Sequence, residues 1–111
     1  MAKRGVLVVL TGPIPGREAE YEEWYDNEHI PDSLETEGFV SGRRYRLVPG
    51  AGSDDSEWTQ HLVIYDLEGE DLNDVWDALQ ARRGQDLKSG DLVARPVMHH
   101  FFELEFDSDA P

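Results

Sequence analysis

Residues 20 to 39, "EYEEWYDNEHIPDSLETEGF", are the stretch from which the fold is most readily inferred. The stretch is strongly acidic, yet it carries three large aromatic side chains, Tyr21, Trp24 and Tyr25. At about 100° per residue on a helical wheel, these aromatics fall on one stripe, and Glu28 falls in the middle of it. We therefore expect Glu28 to face inward. That position is unusual for a core helix, because a buried carboxylate must find a hydrogen-bond donor or stay protonated.

The helix predicted at residues 16 to 30 is expected to end directly after His29. Pro31 has no amide hydrogen and disfavours helical geometry at the residue before it. In the last turn, the negative end of the helix dipole and the neighbouring carboxylates favour the protonated form of His29. Such a histidine could act as a general acid or alternate between acid and base. The alternative is that it only caps the last carbonyl groups of the helix.

The remaining segments alternate between strand-like and helix-like patterns. A second helix is predicted where apolar residues recur at i, i+3, i+4 and i+7. The order strand, helix, strand, strand, helix, strand is typical of the ferredoxin-like α+β fold, βαββαβ, in which two helices cover one face of a four-stranded antiparallel sheet. The predicted strands are 4–13, 39–48, 58–67 and 95–107, the second helix is 69–84, a short helical piece is 31–38, a loop spans 49–57, and 85–94 is irregular.

Composition limits the classes of protein and partner. A chain of 111 residues fits a single domain, residues 1–111, with a loose tail at about 107–111. The net charge of −14 argues against nucleic acid and anionic membrane surfaces as partners. Cysteine is absent, which excludes disulfides and thiolate metal sites. No signal peptide or membrane span is recognisable, so we expect a soluble, cytoplasmic protein.

The last predicted strand carries apolar residues on both faces. We assign one alternating set to the core beneath the helices, and the first strand is apolar on both faces as well. Because the helices cover only one face of the sheet, the other face is expected to pack on a partner sheet, most simply in a homodimer. The set assigned to the core is Met98, His100, Phe102, Leu104 and Phe106.

The opening stretch, extended to "EYEEWYDNEHIPDSLETEGFVSGRRYRL", resembles the EthD-like members of the dimeric α/β-barrel superfamily. Those members share a helix ending in Trp-Tyr-x-x-Glu-His-x-Pro, followed by Gly-Phe and a strand rich in Arg and Tyr. The resemblance implies a homodimer in which each protomer holds an apolar pocket between sheet and helices. It also implies that the motif histidine faces that pocket. The matching motif residues are Trp24, Tyr25, Glu28, His29 and Pro31.

Two further groups of residues are candidates for the same pocket. Arg43 and Tyr45 share one face of the second strand, and an inward arginine could pair with Glu28 or hold an anionic substrate. His61 and His100 stand on strands, where a histidine is most often a hydrogen-bonded core residue. No local histidine spacing supports zinc, so neither a metal site nor a cofactor is predicted.

These residues lead to three functional hypotheses. The first is a small cofactor-independent isomerase, cyclase or dehydratase-type lyase. It would act on a hydrophobic aromatic or polyketide-like compound by histidine acid/base catalysis. The second is a monooxygenase, either cofactor-free or haem-degrading, and the third is a ligand-binding or stress-related dimer without catalysis. The candidate catalytic residues are His29, Glu28 and Tyr25, and the candidate substrate-binding residues are Trp24, Arg43, Tyr45, His61, His100 and Phe102.

Overall fold

The computed structural model describes residues 2–48, 61–83, 92–93 and 98–109. The predicted loop at 49–57 and most of the irregular segment at 85–94 lie outside these residues. The elements are β1 (Lys3–Thr11), α1 (Glu18–Trp24), a π-helical segment (Tyr25–His29), α2 (Ile30–Ser33), β2 (Phe39–Arg46), β3 (His61–Gly69), α3 (Leu72–Arg82) and β4 (Met98–Glu103).

The four strands form one antiparallel sheet in the order β2-β3-β1-β4. The two outer strands in sequence, β1 and β4, pair with each other, and β3 completes the centre of the sheet. This order, with both helical regions on one face, is the predicted ferredoxin-like α+β fold, which is thereby confirmed. Within the described ranges, no helix is long and apolar enough to cross a membrane.

The core lies between the helices and one face of the sheet. From β1 it takes Leu7 and Val9, which alternate with half-buried residues along the strand. The predicted aromatic stripe packs against them, since Tyr21 is 0% exposed and Tyr25 is 4% exposed. The other members of this core are Phe39, Val63, Tyr65, Leu67, Leu72, Val75 and Leu79.

The prediction assigned the wrong set of residues of the fourth strand to the core. In the β1–β4 register, Phe101 lies opposite Leu7 and His99 lies opposite Val9. The odd-numbered residues of β4 therefore face the helices. Met98, His100 and Phe102 point to the opposite face, and Leu104 and Phe106 lie exposed beyond the end of β4. Because both alternating sets are apolar, the periodicity of the strand does not distinguish its faces. Its pairing with β1 does.

The first helix does not end at Pro31. It continues to Ser33, because a π-helical turn precedes the proline. In a regular α-helix the proline ring would clash with the carbonyl group four residues earlier, at Asn27. Here the amide of Ile30 bonds instead to the carbonyl of Tyr25, five residues back, which widens the helix at that point.

The sheet face away from the helices is apolar in its centre. It carries half-buried side chains from β1 and β3 and exposed ones from β4. Along β2 this face becomes polar, where Arg43 and Asp66 form an ion pair at 2.7 Å between Nη1 and Oδ2. Nothing in the described chain covers the apolar part, which consists of Val6, Val8, Leu10, Leu62, Ile64, Met98 and Phe102.

Candidate functional site

The π-helical segment determines which side chain faces inward at the end of the motif. One extra residue in the turn rotates everything after it by roughly one helical position, about 100°. As a result Glu28 is exposed to solvent, and His29 takes the half-buried position on the aromatic stripe. The inward position predicted for Glu28 is therefore wrong, because the wheel assumed regular α-helical geometry through this turn.

His29 is held between aromatic rings. Its imidazole stacks on the indole of Trp24, with ring centroids 4.4 Å apart and planes 18° from parallel. It also meets the ring of Tyr25 edge-on at 5.2 Å. Within the described part of the chain, no hydrogen-bond partner is recorded for its ring nitrogens. The predicted cluster of Trp24, Tyr25 and His29 thus comes together as a small aromatic wall.

The protonation state of His29 is the reverse of the predicted one. Burial lowers the pKa of His29 to about 4, and the positive charge of Arg83 acts in the same direction against the attraction of Asp32. The helix dipole does not favour protonation here, because the helix continues past His29 to Ser33. The imidazole is therefore neutral at pH 7 and can accept a proton or donate a lone pair to a metal.

Arg83 provides the positive charge near His29. Its guanidinium lies over the indole of Trp76, 5.5 Å from the ring centroid, and donates to Gln80 Oε1 at 2.9 Å. Its side chain is exposed to solvent, and desolvation by the surrounding protein lowers its pKa. No carboxylate of the described residues lies within ion-pair distance of it. In a chain this acidic, such an arginine is available to an anionic ligand.

β4 contributes His99 and Phe101 to the same neighbourhood. Phe101 meets Trp76 edge-on at 5.5 Å. Burial, and then the charge of Arg83, lower the pKa of His99. Since Arg83 acts on both His29 and His99, the two imidazoles lie within electrostatic range of one guanidinium. We call the set His29, Trp24, Tyr25, Trp76, Arg83, His99 and Phe101 the helix-side cluster.

A groove of about 680 Å³ adjoins this cluster along β4 and the start of α3. Its volume falls within the range of small-molecule sites. Aromatic, histidine and acidic side chains line the groove. It shares Trp76, His99 and Phe101 with the helix-side cluster, and the other four members of the cluster do not line it. The lining residues are Lys3, Glu70, Asp71, Leu72, Asn73, Trp76, His99, His100, Phe101, Phe102 and Glu103.

Arg44 ties the π-helical segment to the sheet. Its Nε and Nη2 atoms each donate to the carboxylate of Asp26 at 2.9 Å, and Nη1 lies 3.2 Å from Nδ1 of His61. This bidentate contact holds the turn that carries His29. His61 is 5% exposed and lies against Tyr21. Burial and the charge of Arg44 lower the pKa of His61, so a neutral ring can accept the bond from Arg44. The structure thus places His61 in the core, bonded to Arg44.

Four of the predicted substrate-binding residues are not on the helix face of the sheet. Arg43 donates to the hydroxyl of Tyr45 at 3.0 Å and to Asp66, all on the opposite face. His100 and Phe102 also point to that face, with ring centroids 6.4 Å apart. The sheet separates these four side chains from His29.

Sequence reasoning missed three residues of the helix-side cluster, Arg83, His99 and Phe101, and treated Trp76 as ordinary core. Arg83 gave a usable signal, since it is one of few basic residues and follows the last apolar residue of an amphipathic helix. His99 and Phe101 gave none, because their face depends on how β4 pairs with β1.

Comparison with known proteins gives a match in structure only. No protein-family profile and no curated protein sequence matches the chain. A protein assigned as a monooxygenase from Shewanella loihica superposes with a TM-score of 0.61 at 14% identity, over 96% of this chain and 99% of that one. The chain shares the ferredoxin-like fold of this protein. At such identities the likeness concerns the fold alone.

Two further solved structures resemble the chain in fold. The heme-degrader MhuD from Mycobacterium tuberculosis, with two hemes bound in its active site, gives a TM-score of 0.59 at 17% identity, over 93% of this chain and 97% of that one. An EthD family protein from Bacillus halodurans gives 0.52 at 19% identity, over 91% and 99%. The resemblance to EthD-like proteins inferred from the motif is thus confirmed at the level of fold.

The comparisons contradict our first functional hypothesis. Structures of this shape include proteins assigned as monooxygenases and a heme-degrader. This finding overturns the isomerase, cyclase or dehydratase hypothesis and favours the monooxygenase alternative.

Proposed function

We propose that this protein is a cofactor-independent monooxygenase. Its substrate would be an aromatic compound with an ionisable hydroxyl or carboxyl group, bound at the helix-side cluster. The observation that carries the proposal is a neutral imidazole, His29, stacked on Trp24 and close to Arg83, an arginine without a carboxylate partner among the described residues. The monooxygenase assignment of proteins with the same fold supports the reaction class by analogy.

The neutral imidazole suits the removal of a proton from carbon. In the proposed reaction, His29 accepts a proton from a CH₂ group activated by a neighbouring carbonyl. The carbanion then reduces O₂ and forms a carbon–oxygen bond, and the resulting hydroperoxide loses water to leave a ketone. One CH₂ group and one O₂ thus give one carbonyl group and one water. The aromatic walls provided by Trp24, Tyr25 and Trp76 limit access of bulk water to the reacting carbon.

The guanidinium of Arg83 suits the charge that develops during this reaction. A proton leaves the substrate as His29 accepts it, so negative charge accumulates on the enolate or phenolate oxygen. A charge-assisted hydrogen bond from the guanidinium of Arg83 stabilises such charge. The same positive charge lowers the pKa of His29 and would lower that of the substrate CH₂ group, because it stabilises the enolate oxygen. The weak basicity of the histidine is thus matched by a more acidic substrate.

The proposal is tested by oxygen uptake with chelator-treated, haem-free protein and a panel of polycyclic phenols that carry an activated CH₂ group. Arg83→Gln should lower kcat/KM about tenfold to a hundredfold, since hydrogen bonds to charged groups contribute about 1.5–3 kcal/mol. The matched control is Arg46→Gln, which also removes one positive charge but from a surface ion pair with Glu22. Equal losses in both variants, or no uptake with any member of the panel, would contradict the proposal.

A haem-dependent oxygenase is the second candidate, because the helix-side cluster has the donor types that a haem needs. His29 and His99 are imidazoles with lowered pKa values, Arg83 could bind a propionate, and Trp24 and Trp76 offer flat apolar surfaces. A bound haem would supply iron for the activation of O₂. The residues of this chain would hold the haem and exclude water around it.

Haem binding gives a direct optical readout. If the second candidate is right, titration with hemin should produce a saturable shift of the Soret absorption band that is lost in His29→Ala. The neighbouring variant Asn27→Ala, at an exposed position of the same turn, should keep the shift. An unchanged Soret band at saturating hemin would remove the haem-dependent reading and leave the cofactor-independent one.

We also propose that two copies associate through the apolar sheet face, as the sequence predicted. The support is the row of apolar side chains on this face that no described residue covers, from Val6 on β1 to Phe102 on β4. A small domain gains stability by burying such a surface, and a sheet face pairs most simply with its own copy.

A further inference from the structure

Arg82 forms a bridge between the two helical regions. Its Nη1 atom donates to the backbone carbonyl of Asp32 at 2.7 Å and to Oγ1 of Thr36 at 2.8 Å. Its Nη2 atom donates to the carboxylate of Asp32 at 2.9 Å. The side chain of Arg82 is 15% exposed and Thr36 is 2% exposed, whereas the side chain of Asp32 is 37% exposed, so the bridge is shielded from water on the side of Arg82 and Thr36. One guanidinium therefore fixes both the main chain and the side chain at the end of α2.

The bridge joins the two segments that carry the main groups of the helix-side cluster. Asp32 lies three residues after His29, which is about one helical turn. Arg82 is the last residue of α3 and immediately precedes Arg83. The contact therefore joins a residue one turn after His29 to the residue directly before Arg83.

The bridge also neutralises a charge that acts on His29. In the described part of the chain, the charged groups acting on this imidazole are Asp32 on its own helix and Arg83 directly after α3, and the titratable Tyr25 meets its ring edge-on. Asp32 favours the protonated imidazole and Arg83 opposes it. The ion pair with Arg82 holds the Asp32 carboxylate and offsets its charge.

We propose that Arg82 is a positioning residue: by binding Asp32 and Thr36, it holds the turn that follows His29 against the end of α3 and so sets the position of the imidazole relative to Arg83. The inference rests on the proposed function for its consequence, because a neutral imidazole near a guanidinium is the arrangement that the proposed proton transfer uses. The contact itself is independent of any substrate.

The test is an NMR titration of the His29 imidazole in the whole protein without substrate. In Arg82→Gln, the Asp32 carboxylate loses its partner and the end of α3 is released, and both changes favour protonation. We expect the titration midpoint of His29 to rise by at least about half a pH unit, roughly a threefold gain in proton affinity. Arg46→Gln, which removes the same charge from the surface, should leave the midpoint unchanged.

A second variant separates positioning from simple loss of charge. Arg82→Lys keeps the positive charge but lacks the forked donors that reach Asp32 and Thr36 together. It should fold, and it should raise the midpoint of His29 by less than Arg82→Gln does. If Arg82→Gln fails to fold, the midpoint of His29 in the lysine variant alone tests the proposal. A midpoint equal to wild type in every folded Arg82 variant would overturn the proposal.

Failure of the positioning role can be distinguished from failure of the proposed function. The titration reports on the bridge even when no oxygen uptake is found with any substrate. Conversely, oxygen uptake that depends on His29 and Arg83, combined with an unchanged midpoint in the Arg82 variants, would retain the reaction and reject the positioning role.

Discussion

Replacing His29 by alanine should lower kcat/KM for oxygen uptake by about 100-fold or more, since a positioned general base contributes roughly 10²–10⁴-fold to proton transfer. The loss should appear mainly in kcat, because the stacking surface of Trp24 and the charge of Arg83 remain for binding. Asn27→Ala, in the same π-helical turn but exposed, should keep its activity. Full turnover by His29→Ala with a substrate that the wild type oxidises would reject the histidine as the base.

The pH dependence provides a second check on His29. Its pKa is about 4 in the folded protein and about 6.5 in the unfolded chain, so between these values the unfolded state binds more protons. The contribution of the neutral imidazole to stability is therefore fully present above about pH 6.5 and is lost as the pH falls toward 4. It amounts to at most about 3 kcal/mol from this difference in pKa. Urea unfolding at several pH values should show a weaker loss in His29→Ala than in wild type. An equal loss in both proteins would contradict the low pKa.

Replacing Ile64 by aspartate should abolish the proposed dimer. Ile64 lies at the centre of the apolar sheet face, opposite Val8 on β1 and Arg43 on β2. An unpaired carboxylate buried in an interface costs about 3–5 kcal/mol, which weakens association by more than about 100-fold. Sedimentation velocity over a range of concentrations would measure the change in mass.

The control variant for Ile64→Asp carries the same added charge at a position outside the apolar sheet face. Ala19→Asp adds a carboxylate on an exposed position in the first turn of α1, where the helix dipole tolerates it. It should sediment as wild type does. A wild-type protein that remains monomeric at all concentrations would refute association through this face, whatever the variants do.

Residues 20 to 39 show how much of a helix can be predicted from the local pattern of apolar residues. The aromatic stripe of Tyr21, Trp24 and Tyr25 was predicted correctly, because the first turns are regular and the wheel holds there. The prediction failed at Glu28, inside the π-helical segment, where the wider turn moved His29 into the inward position. A single irregular turn is a property of the packed helix that an averaged period does not report.

The fourth strand shows a second limit of prediction from sequence, which concerns the face to which each side chain points. Its existence followed from its alternating pattern, but both alternating sets are apolar and either could face the helices. The pairing of β1 with β4 selected His99 and Phe101. That choice brought them to the helix side near Arg83, which stands 16 positions before His99 in the chain.

The sequence by itself determined the order of the elements, the ferredoxin-like fold that follows from it, and the helix that carries His29. These three features follow from the periodicity of apolar residues, which is a property of residues close together in the sequence. Only the tertiary structure decided that His29 rather than Glu28 faces inward, that its imidazole is neutral, and that Arg83 and His99 lie near it. Helix phase after an irregular turn, strand register and desolvation all depend on what packs against a residue, and that partner comes from a distant part of the chain.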